Sequence, residues 1–270
     1  MQEKIQNNKP IGIFDSGFGG LTVMSAVGKI MPKENIVYFG DTAHVPYGTK
    51  SKKTVTDFAL KISNFLVKNN VKMIVIACNT ASAFSLEYLK KNIKVPVVGV
   101  IKAGSVVAAQ KTKNKMVGVI GTEGTIKSGA YEKEIKKYDK TIKCFSKACP
   151  LFVPLVEEGW CNGQITEKVI NVYLKNLASK NIDTIILGCT HYPLLKKTIK
   201  KVIGQKINII DSSVAVALEV KDFLIKNNLL KTTGKGRHRF YVSDAPEKFK
   251  AIGSKFLGDK ISNVIKAEID

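Results

Sequence analysis

The sequence predicts an α/β fold made of two pseudo-symmetric domains, each with a central, mostly parallel sheet flanked by helices, and a functional cleft between them. Three observations predict it. Short apolar runs alternate with helical patterns along the chain, the mark of parallel strands joined by crossover helices. The segments Met73-Ile74-Val75-Ile76-Ala77-Cys78-Asn79-Thr80 and Asp183-Thr184-Ile185-Ile186-Leu187-Gly188-Cys189-Thr190 are near copies, each a buried-strand pattern ending in a cysteine followed by a polar residue suited to starting a helix. A second pair, Ile11-Gly12-Ile13-Phe14-Asp15-Ser16 and Val117-Gly118-Val119-Ile120-Gly121-Thr122, is displaced by 106 residues, while Cys78 and Cys189 are displaced by 111. Two motif pairs at nearly constant offset indicate a duplicated unit whose strand ends face one cleft.

The elements follow in order. Apolar runs at 11–14, 36–39, 73–77 and 97–100 predict the strands of the first half, and those at 116–120, 141–145, 184–187 and 207–210 the strands of the second. Amphipathic stretches at 54–68, 84–91, 167–179 and 193–203 are expected as helices between them. After Ser213 the tail adds a helix, a strand near Phe240 and a last helix from Pro246. The duplication places the first domain at 9–101 with 212–270, the tail returning to it, and the second at 102–211.

Composition narrows the class. A chain of 270 residues with 44% hydrophobic and 24% charged residues is long enough for two domains with proper cores. The opening Met1 to Pro10 is polar and lacks the apolar core of an export signal, and no run approaches a membrane span, so a cytoplasmic protein is expected. An odd count of five cysteines in that compartment predicts free thiols. Cys144 and Cys149 lack a matching second pair for zinc, so no metal is expected. The formal charge of +21 invites a nucleic-acid reading. Yet arginine occurs only at Arg237 and Arg239, and scattered lysines on amphipathic helices suit solvation better than base readout. Neither a specific nucleic-acid partner nor a membrane is predicted.

Cys78 and Cys189 each sit at a strand-to-helix junction, where the positive end of a helix favours a thiolate. A buried free cysteine is ordinarily a small hydrophobe, but the same junction recurs in both halves. One thiol from each side suits inversion of a carbon centre through a planar carbanion, with a base on one face and an acid on the other. A disulfide exchanger would instead carry Cys-x-x-Cys, which is absent. Gly17, Gly19 and Gly20 do not fit a dinucleotide fingerprint and no Walker-type lysine follows, so no nucleotide cofactor is predicted.

Asp15-Ser16-Gly17-Phe18-Gly19-Gly20-Leu21, Pro46-Tyr47-Gly48, Cys78-Asn79-Thr80-Ala81-Ser82, the segment from Pro150 to Gly159, and Gly188-Cys189-Thr190-His191-Tyr192-Pro193 resemble the signature segments of bacterial glutamate racemases. The resemblance implies cofactor-independent interconversion of L- and D-glutamate, with D-glutamate supplied to peptidoglycan synthesis. It implies Cys189 as the base toward L-glutamate and Cys78 as the base toward D-glutamate. It also implies Asp15, His191 and Glu158 as their helpers, with Glu157 adjacent, and a homodimer. The chain departs from many such sequences at His44, where arginine is usual.

A thiol alone is far too weak a base for an amino-acid α-proton, so the cleft must stabilise the carbanion. Donors at Ser16, Asn79, Thr80, Thr122, Thr125 and Thr190, with backbone N–H groups of the Pro46-Tyr47-Gly48 turn, suit two substrate carboxylates; Asp15 and His191 are expected beside them. Three other readings remain at this stage. They are an aspartate racemase, although those tend to carry an acidic residue where His191 stands, a basic regulatory protein that binds nucleic acid or a nucleic-acid enzyme, and a racemase-like binding protein.

Overall fold

The computed structural model describes residues 7–269; the polar opening read above as lacking an export signal lies outside them as far as position 6. The first half runs β1 (Ile11–Asp15), α1 (Leu21–Ile30), β2 (Ile36–Gly40), α2 (Lys52–Lys68), β3 (Met73–Ile76), α3 (Asn79–Asn92), β4 (Val97–Gly99) and α4 (Val100–Lys111). The second continues through β5 (Met116–Gly121), α5 (Glu123–Lys127), α6 (Ala130–Tyr138), β6 (Lys143–Ala148), α7 (Phe152–Glu157), α8 (Gln164–Ala178), β7 (Thr184–Gly188), α9 (Lys196–Ile203) and β8 (Asn208–Asp211). The tail forms α10 (Ser212–Lys226), β9 (His238–Val242), α11 (Pro246–Leu257) and β10 (Val264–Lys266).

These strands form a six-stranded sheet, β10-β9-β2-β1-β3-β4, and a four-stranded sheet, β6-β5-β7-β8, parallel at every pairing. The order β2-β1-β3-β4 is repeated as β6-β5-β7-β8, and the register repeats with it. Ile11 pairs with Met73 as Val117 pairs with Thr184, the offsets of 106 and 111 read from the sequence. The duplication is therefore structural, and two α/β domains result.

Period-two alternation sorts the first sheet's residues to its two faces. Ile11, Ile13, Ile36, Tyr38, Met73 and Val75 join one core, which continues into the second domain through Val117, Val119 and Ile185. Phe14, Val37, Phe39, Ile74 and Ile76 form the other, under α2 and α3. Burial of such a side chain stabilises by about 1.5–3 kcal/mol, and truncation to alanine costs about 2–5. Both faces are covered, which is why these strands read as continuous apolar runs. Surface lysines often pair with acids one turn away, as Lys53 with Asp57 and Lys136 with Glu132, in keeping with solvated helix faces. Among the described residues, no helix is long and apolar enough to cross a membrane.

Four local expectations change. Helix α3 begins at Asn79, not at 84, because its polar first turn is buried against the cleft. Strand β6 spans Lys143–Ala148 instead of 141–145; it is a half-exposed edge strand whose residues give little apolar signal. The helix expected at 193–203 splits into a 3-10 turn, Tyr192–Leu195, and α9. Strand β10, with two of three residues exposed, was not anticipated.

Candidate active site

Parallel sheets hold ligands at the carboxyl ends of their strands, next to helix amino ends. Here Asp15 ends β1, Cys78 follows β3, Thr122 follows β5 and Cys189 follows β7, and these four ends converge. Cys78 and Cys189 line one cleft together with Ser16, Pro46, Tyr47, Gly48, Asn79, Thr80, Thr122, Thr190 and His191. The remaining walls are Val45, Val153 and Glu157. Residues 111 positions apart in the chain thus face a common space.

Close approach of the halves depends on two glycines. A Cβ on Gly19 would lie 2.3 Å from Thr190 Oγ1 and 2.5 Å from His191 Nδ1, and one on Gly48 2.6 Å from Thr122 Cβ. Neither position has room for a side chain. Tyr38 supports the loop from beneath, its hydroxyl donating to Gly17 O at 2.9 Å.

The two thiols sit in different fields. Cys78 is the N-cap of α3, its Sγ accepting from the Ala81 N–H at 3.5 Å. Burial, with the Asp15 carboxylate and Cys189 nearby, pushes its pKa up to about 12, against the pull of the Ala81 N–H and Ser16. Cys189 Sγ lies 3.8 Å from His191 Nδ1, and His191 Nε2 lies 3.1 Å from Glu157 Oε1. Burial pulls His191 down, but its hydrogen bonds to Cys189 and Glu157 and the charges of Cys189 and Asp15 prevail, lifting it to about 10. At neutral pH it is an imidazolium donating from both nitrogens.

Asp15 is fully buried below the cleft wall instead of lining it. Its Oδ2 accepts from the Gly17 N–H at 3.0 Å and its Oδ1 from Thr190 Oγ1 at 3.3 Å. Burial raises its pKa, opposed by His191 and by the bonds from Gly17, Gly20 and Thr190. Thr125 also stands behind the wall, in a triangle of hydroxyls with Thr80 and Thr122 whose sides are 2.8, 3.2 and 3.0 Å. Tyr47 Oη donates to Asp41 Oδ2 at 2.5 Å, and Asp41 Oδ1 meets His44 Nδ1 at 2.8 Å. His44 thereby has a defined partner, and its ring stacks on Phe58 at 4.2 Å.

Glu158 is the candidate that the structure moves away from the thiols. Glu157 reaches His191, whereas Glu158 lines the outer recess beside Pro154. One residue along a helix turns a side chain by about 100°, and the face of α7 that carries Val153 carries Glu157. Their i, i+4 spacing was the available signal, had this short helix been recognised in the sequence. Val45 and Val153 carried no chemical signal at all. Among the described residues, no group of three or more His, Cys, Asp or Glu is placed to hold a metal ion.

The inner cleft measures about 30 Å³, space for one or two waters. It opens outward into a recess of about 370 Å³ through shared walls at Val45, Pro46, Gly48, Thr122, Val153 and Glu157. The arrangement is a narrow chamber that opens outward, with a sulfur contributed by each half and hydroxyl and amide side chains among its walls.

Comparison with known proteins identifies the family and the fold. The family model for Asp/Glu/Hydantoin racemase matches residues 21–220. The glutamate racemase of Geobacter metallireducens is 48% identical over 263 residues, covering 97% of each chain. Among solved structures, glutamate racemase from Francisella tularensis in complex with D-glutamate superposes with a TM-score of 0.92 at 42% identity, covering 98% of this chain and 99% of that one. A Bacillus anthracis glutamate racemase gives a TM-score of 0.94 at 38% identity, covering 97% and 98%. With a shared fold, near-complete coverage and a family match over most of its length, the chain belongs to the Asp/Glu/Hydantoin racemase family, among its glutamate racemases.

Proposed function

We propose that this protein interconverts L-glutamate and D-glutamate without a cofactor, by proton transfer between Cys78, Cys189 and the substrate α-carbon. The observation that carries the reading is the pair of duplicated strand ends delivering one thiol each to a single cleft, in a chain whose relatives are named glutamate racemases. In the L-to-D direction, Cys189 takes the α-proton as a thiolate beside the His191 imidazolium, leaving a planar carbanion. Cys78, a protonated thiol at neutral pH, gives its proton to the opposite face. The C–H bond broken on one side is replaced by a C–H bond on the other, and the thiols exchange protonation states.

The carbanion is stabilised by fixed donors. Asn79, Thr80, Thr122, Ser16 and Thr190 line the chamber and suit the two carboxylates, with Thr125 behind them. Asp15 acts through Thr190 and the Gly17 turn, and Glu157 through His191. Closure excludes water and strengthens each of these interactions. A chamber of about 30 Å³ must widen to admit an amino acid, so the two domains part and close in each turnover. The domain limits 9–101 with 212–270 and 102–211 belong to this proposal, supported by the division of strands between the sheets. So do the homodimer, the cytoplasmic location and the supply of D-glutamate to peptidoglycan.

The test is solvent exchange. In deuterium oxide, each enantiomer should acquire α-deuterium as the other forms, and L-aspartate should be turned over far more slowly. Preference for aspartate would move the chain to the rival reading, and no exchange with either would end the proposal.

A further inference from the structure

Asn79 follows Cys78 directly and opens α3, and its side chain faces a partner from the other domain. Tyr131, on α6, donates its hydroxyl to Asn79 Oδ1 at 2.7 Å, and Tyr131 Oη lies 3.1 Å from Ser212 Oγ, the first residue of α10. All three are buried, at 3%, 4% and 4% exposure. An amide oxygen only accepts, so the single tyrosine proton is committed to Asn79, and Ser212 supplies the hydrogen bond to Tyr131. The result is a directed chain, Ser212 to Tyr131 to Asn79.

This chain fixes which end of the amide faces the cleft. With Oδ1 held by Tyr131, the Asn79 NH₂ group points away from it. Among the described residues that nitrogen has no hydrogen-bond partner, yet it is not sealed off as a buried orphan. Left free, the amide would turn by rotation about its last torsion, presenting an acceptor where an anion must bind. Burial raises the Tyr131 pKa, so the hydroxyl remains a donor throughout the working range.

We propose that Tyr131 is a positioning residue, locking the Asn79 amide so that its two N–H donors meet a substrate carboxylate beside Cys78, and coupling that donor to the second domain and to the start of α10. The proposal deepens the glutamate reading and rests on it. Tyr131 touches no substrate, and its effect passes through Asn79.

The experiment compares wild type, Tyr131→Phe, Asn79→Ala, the double variant and Ser212→Ala in the full-length chain, with kcat and KM measured for both glutamate enantiomers. Tyr131→Phe keeps the ring and removes the hydroxyl; KM should rise about 10-fold for each enantiomer, with kcat changed by less than about 3-fold. In the Asn79→Ala background the same substitution should change KM by less than about 2-fold, since nothing remains to orient. Ser212→Ala, which leaves the Tyr131–Asn79 bond, should shift KM by less than about 3-fold. An unchanged KM in Tyr131→Phe, independent effects that multiply in the double variant, or a Tyr131→Phe protein that does not fold would each overturn the proposal, the last by making the hydroxyl a folding element. A wild type inactive on glutamate would instead sink the glutamate reading, and this inference with it.

Discussion

The junction after β3 and the junction after β7 hold matching places in their sheets and differ in backbone and in electrostatics: Cys78 caps α3 directly, whereas Cys189 leads through a turn into the 3-10 segment Tyr192–Leu195. Each follows a parallel strand of matching register and ends in a cysteine. Around Cys78 stand a carboxylate, Asp15, and neutral donors; around Cys189 stands an imidazolium backed by Glu157. The repeated strand order thus places one sulfur on each side of the cleft, while the side chains around the two sulfurs differ. Cys78 is held as a neutral thiol, and a cationic His191 stands beside Cys189.

Three measurements press on this contrast, beginning with the largest effect. Cys78→Ala and Cys189→Ala should each abolish racemisation, by about 10⁴-fold or more, with the fold retained. The sharper signature is a residual half-reaction. Cys78→Ala should still exchange the α-proton of L-glutamate without inverting it, and Cys189→Ala that of D-glutamate. Either variant racemising at wild-type rate would break the two-base assignment.

Next comes the cation. His191→Asn should lower kcat/KM by about 10²-fold. Enantiomers have equal free energy in water, so kcat/KM must fall equally in both directions, and the inequality of the two sides must be sought in the pH profile. Glu157→Gln should move the alkaline limb of activity to lower pH, because it removes a bond that raises His191. Glu158→Gln, on the outer recess, should leave that limb in place. The reverse pattern would return the helper role to Glu158.

The smallest effect is on stability. His191 is raised from 6.5 to about 10 on folding, so its contribution is complete below about pH 6.5 and is lost as pH rises through about 10. Cys78, raised from 9.0 to about 12, contributes fully below about pH 9 and is lost above it. The thermal midpoint should therefore fall by a few °C between pH 7 and pH 10, and less steeply in His191→Asn. An equal slope in both proteins would show that His191 is not charged at rest.

Much of this was legible in the sequence, for reasons that can be named. Strands covered on both faces must be apolar throughout, so β1, β3, β5 and β7 were visible, and the repeated Cys-polar junction marked where they end. Features that depend on rotation and long range were not. Glu157 and Glu158 have the same chemistry, and only the phase of α7 separates them. Tyr131 meets Asn79 across 52 positions, and nothing local to an amphipathic helix announces such a contact. The junction at Cys78 marked the start of α3, while the amphipathic pattern began only at 84, because the first turn is polar and buried and carries no apolar periodicity.

The threonine triangle holds as many protons as it has sides. Three hydroxyls own three hydrogens, and a ring of Thr80, Thr122 and Thr125 employs one on each side. Each hydroxyl can thereby donate once and accept once within the ring. A carboxylate accepts but never donates, so one bonded to Thr80 or Thr122, which line the cleft, competes with the ring for their hydrogens. Thr80 belongs to the first half of the chain and Thr122 and Thr125 to the second, so two sides of the ring cross between them. The same hydroxyls thus tie the two halves of the chain together and are the donors for which an entering carboxylate competes.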